Sequence, residues 1–485
     1  MTTSKDSTKV HKPWTEIVTK KRAVRDAQID KHLKADIKYP SNRISFETFD
    51  IETNCLTEIC FDDALEQARK LDVFQQEHGQ LMGPLHGVPI TVKDQFNIKG
   101  LDSTLGYVAK AFEPAENDAP LIETLKKLGA VIIAKTNLPQ SIMWCETDNP
   151  LWGLTTHPDD PKLSPGGSSG GEAAMLSMGA SIIGWGTDIG GSIRIPCHMN
   201  GLWGLKPSHI PSAVGPMARS LSCLKLVTKL AIEAEPWAID PQLPPVPWRD
   251  GIFQAMSTRP LVIGAMLDDG MVKAHPPVER VFRDLVTKLE AAGHEVVEWD
   301  SSLNSSMIDI MDGYYSADGG EDIRKAVSAG GEPFIPQIQA FVNRGTPISV
   351  FEYWQLNKRK IAIQETYHDM WDDKRSPTGR PVDVLLVPTM PHTAVSHGSC
   401  RLTGYTKIFN LLDYTALTFP AGKASKDGND GDFWEYVPRN EIDAWNQQLY
   451  DPVAVEGRHV GLQIVGRRFE EEKVLGAAQQ IHSLL

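Results

Sequence analysis

SPGGSSGGEAA, residues 164–174, is one of two glycine- and serine-rich stretches that stand apart in this chain, and GTDIGGSIRIP, residues 186–196, is the other. Glycine has no Cβ, so clustered glycines beside serine let main-chain N–H groups and a hydroxyl converge on one small group. The run Thr187–Ser192 can supply several successive N–H donors, with the Ser192 hydroxyl where an attacked carbonyl carbon would lie. The pattern therefore favours acyl transfer, with Ser192 as the candidate nucleophile.

A serine nucleophile needs a base, and the sequence offers two kinds. Histidine is the common one, but His157, His198 and His209 follow no known triad order, and each is more typical of a structural or surface residue. Lysine can also serve when burial lowers its pKa from about 10.4. Lys93 directly follows the apolar run Val88–Val92, which is typical of a buried strand, so it meets that requirement.

The glycine-rich stretch has three other interpretations besides acyl transfer. Residues 166–170 match G-x-S-x-G, but the proline-rich segment before them is not the strand that a nucleophile elbow needs. The chain has no G-x-x-x-x-G-K-[ST] phosphate loop, and Gly167–Gly171 lacks the dinucleotide-binding spacing. On composition alone a flexible glycine-serine loop stays open.

Helices and buried strands alternate along much of the chain. Pro120–Leu128 has helical periodicity, Gly129 is a typical C-cap, and Ala130–Ala134 is a continuous apolar run. The same order recurs with a helix predicted at Val278–Ala292. Further buried strands are predicted at residues 261–264, 295–299, 384–388 and 460–465. This order predicts an α/β protein built around a mostly buried sheet.

The domain organisation predicted from the sequence is simple. Residues 1–80 carry apolar residues at helical spacing, for example Ile17, Val24 and Ile29, and are expected to form a helical region that packs on the core. Residues 81–485 are expected to form one large domain because no long linker divides them. Five aromatic residues with roughly helical spacing are expected in the core: Phe351, Tyr353, Trp354, Tyr367 and Trp371.

Composition limits the partners. Lys plus Arg number 49 and Asp plus Glu 62, a net charge of −13 that makes nucleic acid a poor partner. The most membrane-like stretch, Ala173–Gly186, is far shorter than the roughly 20 apolar residues of a span. Six sparse cysteines and no secretory signal favour a reducing, cytoplasmic location. We expect no metal, since His294–Glu298 falls short of H-E-x-x-H.

A set of motifs carries a specific resemblance to a known family. They are GPLHGVPITVKD (83–94), KTN (135–137), NPLWG (149–153), PGGSSGG (165–171), GTDIGGSIR (186–194) and GLKP (204–207). Together they closely resemble the amidase signature family, strongly over residues 80–225 and loosely elsewhere. The resemblance implies the amidase-signature fold, a central mixed β-sheet flanked by helices on both faces. It also makes the flexible-loop interpretation a poor one.

The resemblance also implies roles for individual residues. Ser192 would be the acyl-forming nucleophile, Ser168 a bridging serine in a cis peptide bond, and Lys93 the base. Three sets of further roles follow. The N–H groups implied to hold the oxyanion are those of Ile189, Gly190, Gly191 and Ser192. Ile142 would face the substrate, although core packing is an equal alternative for an isoleucine. The residues implied to hold the loops in place are Ser169, Asp188 and Arg194.

The function implied is hydrolysis of a carboxamide to acid plus ammonia or amine through an acyl-enzyme, without a cofactor. The tail resembles the acetamidase-type branch, which also resembles fatty-acid-amide hydrolases. Two alternatives stay open: the glutaminase subunit of a tRNA-dependent amidotransferase, and a catalytically idle binding protein of the same fold. The expected partner is a small amide substrate, and a homodimer is one expected assembly.

Overall fold

The computed structural model describes residues 13–33, 53–208, 212–426 and 431–485. Within them, eleven strands form one mixed sheet in the order β1-β3-β2-β4-β6-β5-β10-β11-β9-β7-β8. The strands are β1 (Leu56–Ile59), β2 (Pro89–Lys93), β3 (Val131–Thr136), β4 (Ile183–Asp188), β5 (Trp203–Lys206), β6 (Ala213–Ala218), β7 (Val262–Ala265), β8 (Glu295–Glu298), β9 (Val384–Pro388), β10 (Ala416–Lys423) and β11 (His459–Val465).

The helices of the described residues cover both faces of this sheet. They are α1 (Trp14–Leu33), α2 (Phe61–His78), α3 (Pro120–Lys127), α4 (Gly170–Ser177), α5 (Arg194–Asn200), α6 (Leu221–Glu233), α7 (Asp250–Thr258), α8 (Pro276–Ala291), α9 (Asn304–Tyr315), α10 (Glu321–Gly330), α11 (Pro336–Val342), α12 (Val350–Asp373), α13 (Gly404–Leu411), α14 (Gly431–Glu435), α15 (Glu441–Leu449) and α16 (Glu471–His482). None of these helices has both the length and the apolar character needed to cross a membrane.

Strand β9 shows why both faces must be covered. Successive side chains of a strand point to opposite faces. Val384 and Leu386 pack in one core cluster, with residues of α6, α7, α8 and α16. Leu385 and Val387 pack in another, with residues of α9, α12 and α13. All four side chains are fully buried, which explains why this strand is continuously apolar in sequence.

Three parallel strands set the position of the polar residues. β2 pairs in parallel with β3 and with β4, with Lys93 opposite Thr136 and Val92 opposite Trp185. The carboxyl ends of parallel strands lie at one edge of a sheet, which is where ligands bind in open α/β folds. Lys93 and the end of β4 are therefore neighbours, although they are far apart in sequence.

The structure confirms the α/β class and most of the elements predicted from periodicity. Gly129 and Gly293 follow α3 and α8 with φ of +90° and +89°, the left-handed conformation that favours glycine after a helix. In the N-terminal region, α1 and α2 are helical as expected, but β1 lies between them and pairs with β3 as an edge strand. Residues 1–12 and 34–52 of that region lie outside the described residues.

One part of the core prediction is wrong. Tyr367 and Trp371 are buried, as expected. Phe351, Tyr353 and Trp354, in the first turns of α12, are instead 65%, 42% and 60% exposed. The first turns of this long helix are exposed. Helical spacing of the aromatic residues therefore identified the helix but not how far the core reaches along it.

Candidate active site

Lys93 is the last residue of β2 and is fully buried. Its strand is buried on both faces of the sheet, so the amino group is carried into the interior with little water around it. Its Nζ donates hydrogen bonds to Ser168 Oγ at 2.6 Å and to Thr187 Oγ1 at 2.9 Å. Lys93 and Ser168, far apart in sequence, are thus in direct contact.

Burial lowers the pKa of Lys93 to about 7. Removing an ammonium from water disfavours its charged form, and this outweighs the nearby carboxylates of Asp188, Glu172 and Asp94, which raise the pKa. Lys93 does not form an ion pair with any of these carboxylates among the described residues. A large share of this side chain is therefore neutral near pH 7 and can accept a proton.

Ser168 lies in the loop that leads into α4. The peptide bond between Gly167 and Ser168 is cis. A Cβ on Gly167 would lie 2.4 Å from the carbonyl oxygen of Glu146, so only glycine fits at this close approach. The next residue joins the two glycine-rich loops, because the Ser169 N–H donates to the Ser192 carbonyl oxygen at 3.2 Å. The Ser169 hydroxyl itself is buried without a hydrogen-bond partner among the described residues.

The carboxylate of Asp188 organises the loop that carries Ser192. It accepts hydrogen bonds from the N–H groups of Gly191 at 2.8 Å and Ile193 at 3.2 Å. The Gly191 N–H therefore donates to this carboxylate. The expectation that it would be a donor to the oxyanion is not met. Burial opposes ionisation of Asp188, but the charge and hydrogen bonds of Arg194 hold its pKa well below the usual range.

Arg194 ties this loop to the C-terminal half of the chain. Its Nε and Nη2 donate to the two oxygens of Asp188 at 3.0 and 2.9 Å. The remaining contacts are to Asn410 Oδ1 at 2.7 Å, Gln463 Oε1 at 3.0 Å and the Thr406 carbonyl oxygen at 2.9 Å. The side chain is fully buried, so these contacts supply the partners that a desolvated guanidinium needs.

A cavity of about 520 Å³ opens in front of Ser192. Ile189, Gly190 and Ile142 line it together with Ser192, so the structure brings these sequence-predicted residues to one place. Ile142 has a φ of +61°, a strained conformation for a β-branched residue. Strain of this kind is common at functional sites. Tyr315 Oη covers the loop by donating to the Ile189 carbonyl oxygen at 2.8 Å.

Sequence reasoning missed three polar residues around Lys93. Thr187 Oγ1 accepts from Lys93 and donates to Gln95 Oε1 at 2.8 Å. Glu172 is also buried, and its carboxylate accepts hydrogen bonds from the hydroxyl of Thr91 and from Thr136 Oγ1, the latter at 2.7 Å. Burial raises the pKa of Glu172 to about 7. A lone carboxylate inside the apolar run of α4 was the available signal for Glu172.

The histidines weighed as bases have structural partners. His157 Nε2 contacts the Met199 carbonyl oxygen at 3.0 Å. His198 lies between the carbonyl oxygens of His392 and Gly461, and burial lowers its pKa to about 4. His209 lies outside the described residues. Within those residues, no group of three or more His, Cys, Asp or Glu side chains is arranged to hold a metal ion.

Comparison with known proteins gives the family. The model of the family described as Amidase matches residues 44–475. The chain is 79% identical to Amidase 2 of Gibberella moniliformis, with 98% of each chain covered. It is 38% identical to the acetamidase of Emericella nidulans, over 89% of this chain and 83% of that protein. Among solved structures, a fatty acid amide hydrolase aligns with a TM-score of 0.84 at 30% identity, covering 99% of this chain and 91% of that one.

The fold and these matches define an enzyme that hydrolyses the C–N bond of carboxylic acid amides. The chain belongs to the amidase signature family, as its motifs predicted.

Proposed function

We propose that Ser192, Ser168 and Lys93 hydrolyse an amide through an acyl-enzyme. Ser192 Oγ forms a bond to the carbonyl carbon while its proton passes to Ser168 Oγ, and the Ser168 proton passes to the neutral Nζ of Lys93. The tetrahedral intermediate then breaks its C–N bond, and the proton returns along the same route to the leaving amine. Water repeats the sequence on the ester to release the acid.

In this scheme Thr187 orients the amino group of Lys93. Its hydroxyl proton is committed to Gln95 Oε1, so it presents a lone pair to Lys93 Nζ at 2.9 Å. One N–H of the neutral amine is then held by Thr187, which leaves the nitrogen lone pair free to face Ser168. Thr187 is thus a positioning residue. It orients Lys93 Nζ so that its lone pair can accept the Ser168 proton.

The oxyanion is assigned to the N–H groups of Ile189, Gly190 and Ser192. Donors fixed in a dry site stabilise charge that develops in the transition state, and each is worth about 3 kcal/mol. Gly191 is assigned a structural role instead, because its N–H donates a hydrogen bond to Asp188 that maintains the turn of the loop. Asp188, Arg194 and Ser169 are assigned to positioning this loop.

The observation that carries this proposal is the buried 2.6 Å contact between Lys93 Nζ and Ser168 Oγ. The test is covalent trapping with a 4-nitrophenyl ester, followed by peptide mass spectrometry. The native protein should carry the acyl mass on Ser192, and Ser192→Ala should carry none while staying folded by circular dichroism. An acyl group on Cys197 or on no residue would overturn the assignment.

The substrate is proposed to be a small carboxamide, supported by the relatives named acetamidase. A cytoplasmic location is also proposed, supported by the small number of cysteines, six in 485 residues. The absence of a nucleic-acid partner rests on the net charge of −13. The homodimer stays a prediction that light scattering coupled to gel filtration tests.

A further inference from the structure

The cavity in front of Ser192 has a charge opposite to that of the chain. Among the described residues that line it, the charged side chains are Arg344, Arg401, Lys407 and Asp312. Their sum is two positive charges, whereas the whole chain carries −13. Clefts lined by one sign of charge raise the local concentration of oppositely charged ligands.

Lys407 is the inner cation of this set. It is 9% exposed at its side chain, and its Nζ lies 2.6 Å from Asp312 Oδ1. Its Cβ would be 3.8 Å from a Cβ placed on Gly190, so it stands directly beside the loop of the nucleophile. The pair with Asp312 neutralises Lys407, so the excess positive charge belongs to the other two residues.

Arg344 and Arg401 form no ion pair with a carboxylate in the described part of the chain, and both are exposed at the cavity wall. Each guanidinium lies over an aromatic ring: Arg344 is 5.3 Å from the centre of Phe341, and Arg401 is 4.8 Å from that of Trp445. Such contacts restrict a guanidinium without neutralising it. Both arginines are therefore held with their hydrogen-bond donors unused by any carboxylate.

Apolar side chains share the cavity wall with these arginines and with Ser192, among them Trp144, Ile308 and Phe341. A substrate that fills this space has an apolar middle section, with its scissile amide at Ser192 and its far end among the guanidinium groups.

We propose that this enzyme prefers amides whose far end carries a carboxylate, with Arg344 and Arg401 as the residues that determine this preference. The inference rests on the proposed function at Ser192, because it places the scissile bond there. A planar guanidinium donates two parallel hydrogen bonds to a carboxylate, which a neutral group of the same shape cannot accept with equal strength.

The test compares three 4-nitroanilides of similar length and different charge: the adipic acid monoanilide (anionic), the 6-methylheptanoyl anilide (neutral) and the 6-aminohexanoyl anilide (cationic). The rate of 4-nitroaniline release gives kcat/KM for each. At low salt we expect the anionic substrate to exceed the neutral one about tenfold, and the cationic one to be the poorest. Salt should reduce the ratio, since these side chains are exposed and screened.

Variants assign the preference to residues. Arg344→Gln and Arg401→Gln should each lower the ratio of kcat/KM for the anionic anilide to that for the neutral anilide about threefold. Arg375→Gln is the matched control, because Arg375 is exposed, lies outside the cavity and bonds the carbonyl oxygen of Lys374. It should change none of the three values.

The outcomes separate this inference from the proposed function. Equal kcat/KM for the anionic and neutral anilides, or a ratio unaffected by either arginine variant, overturns the charge preference while acylation of Ser192 still stands. For an anilide that is not turned over, calorimetric Kd values with Ser192→Ala give the same comparison, and equal Kd values likewise overturn the preference. Trapping that leaves Ser192 unmodified overturns the proposed function instead.

Discussion

Lys93 and Ser168 touch through Nζ and Oγ at 2.6 Å, in a place where neither residue is more than 1% exposed. A hydrogen bond of this length in a dry setting brings the two groups close enough for proton transfer. The contact joins the end of a sheet strand to a loop, and both are held by packed backbone. Charge on Lys93, rather than movement of the loop, is therefore expected to set the activity.

The first prediction concerns pH. Because burial holds the pKa of Lys93 at about 7, protonation below that pH removes the base. We expect kcat/KM for a neutral amide to fall about tenfold per pH unit below about 7 and to level off above it. Lys93→Ala should lose about 10²–10⁴-fold in activity and lose this dependence. Lys358→Ala, an exposed control, should keep the native profile. A flat native profile from about pH 5 to 9 would contradict the assignment.

The second prediction concerns Thr187. Thr187→Val keeps the shape but removes the acceptor that holds one Lys93 N–H, so kcat should fall about tenfold while KM changes little. The midpoint of the pH profile of Thr187→Val should also move, because the amine of Lys93 loses a hydrogen-bond partner. Thr187→Ser restores the hydroxyl and should recover most of the activity. An unchanged midpoint with lowered activity would indicate a merely structural role.

The third prediction concerns the buried ion pair between Arg194 and Asp188. Arg194→Met leaves the Asp188 carboxylate buried without its main partner, a loss that costs about 3–5 kcal/mol of unfolding free energy. Urea denaturation measures it. The matched control is Arg283→Met, whose exposed pair with Glu279 within one helix should cost about 0.5 kcal/mol or less. Equal costs for the two variants would mean that Arg194 does not anchor the loop.

The fourth prediction separates two glycines with positive φ. Gly191 has a φ of +128°, and a Cβ there would lie 2.3 Å from Thr406 Oγ1. Gly191→Ala should therefore displace the nucleophile loop and reduce kcat/KM by about 10²-fold or more. Gly457 has a φ of +74° with no atom within 4 Å of the added Cβ. Gly457→Ala should cost about 1 kcal/mol of stability and leave kcat/KM unchanged. Similar activities of the two variants would refute the steric argument.

The residue types of the site and the local structure that carries them follow from the sequence alone. The apolar run before Lys93 specified a buried strand, because continuous apolar side chains are stable only when both faces of a strand are covered. The glycine and serine motifs specified loops in which backbone and hydroxyl groups converge. These local properties indicate Ser192 and Lys93, whereas the role of Ser168 follows from the resemblance of the motifs to the amidase signature family.

The surroundings of these three residues depend on the tertiary structure. Arg194 finds Thr406, Asn410 and Gln463 more than 200 positions further along the chain, where no local pattern predicts them. The excess positive charge of the cavity likewise comes from Arg344 and Arg401, which lie in loops far apart in sequence. Spacing along one helix or strand carries no information on which distant element packs against it. Those contacts follow from the packing of the whole sheet and its helices, and they shape the cavity in front of Ser192.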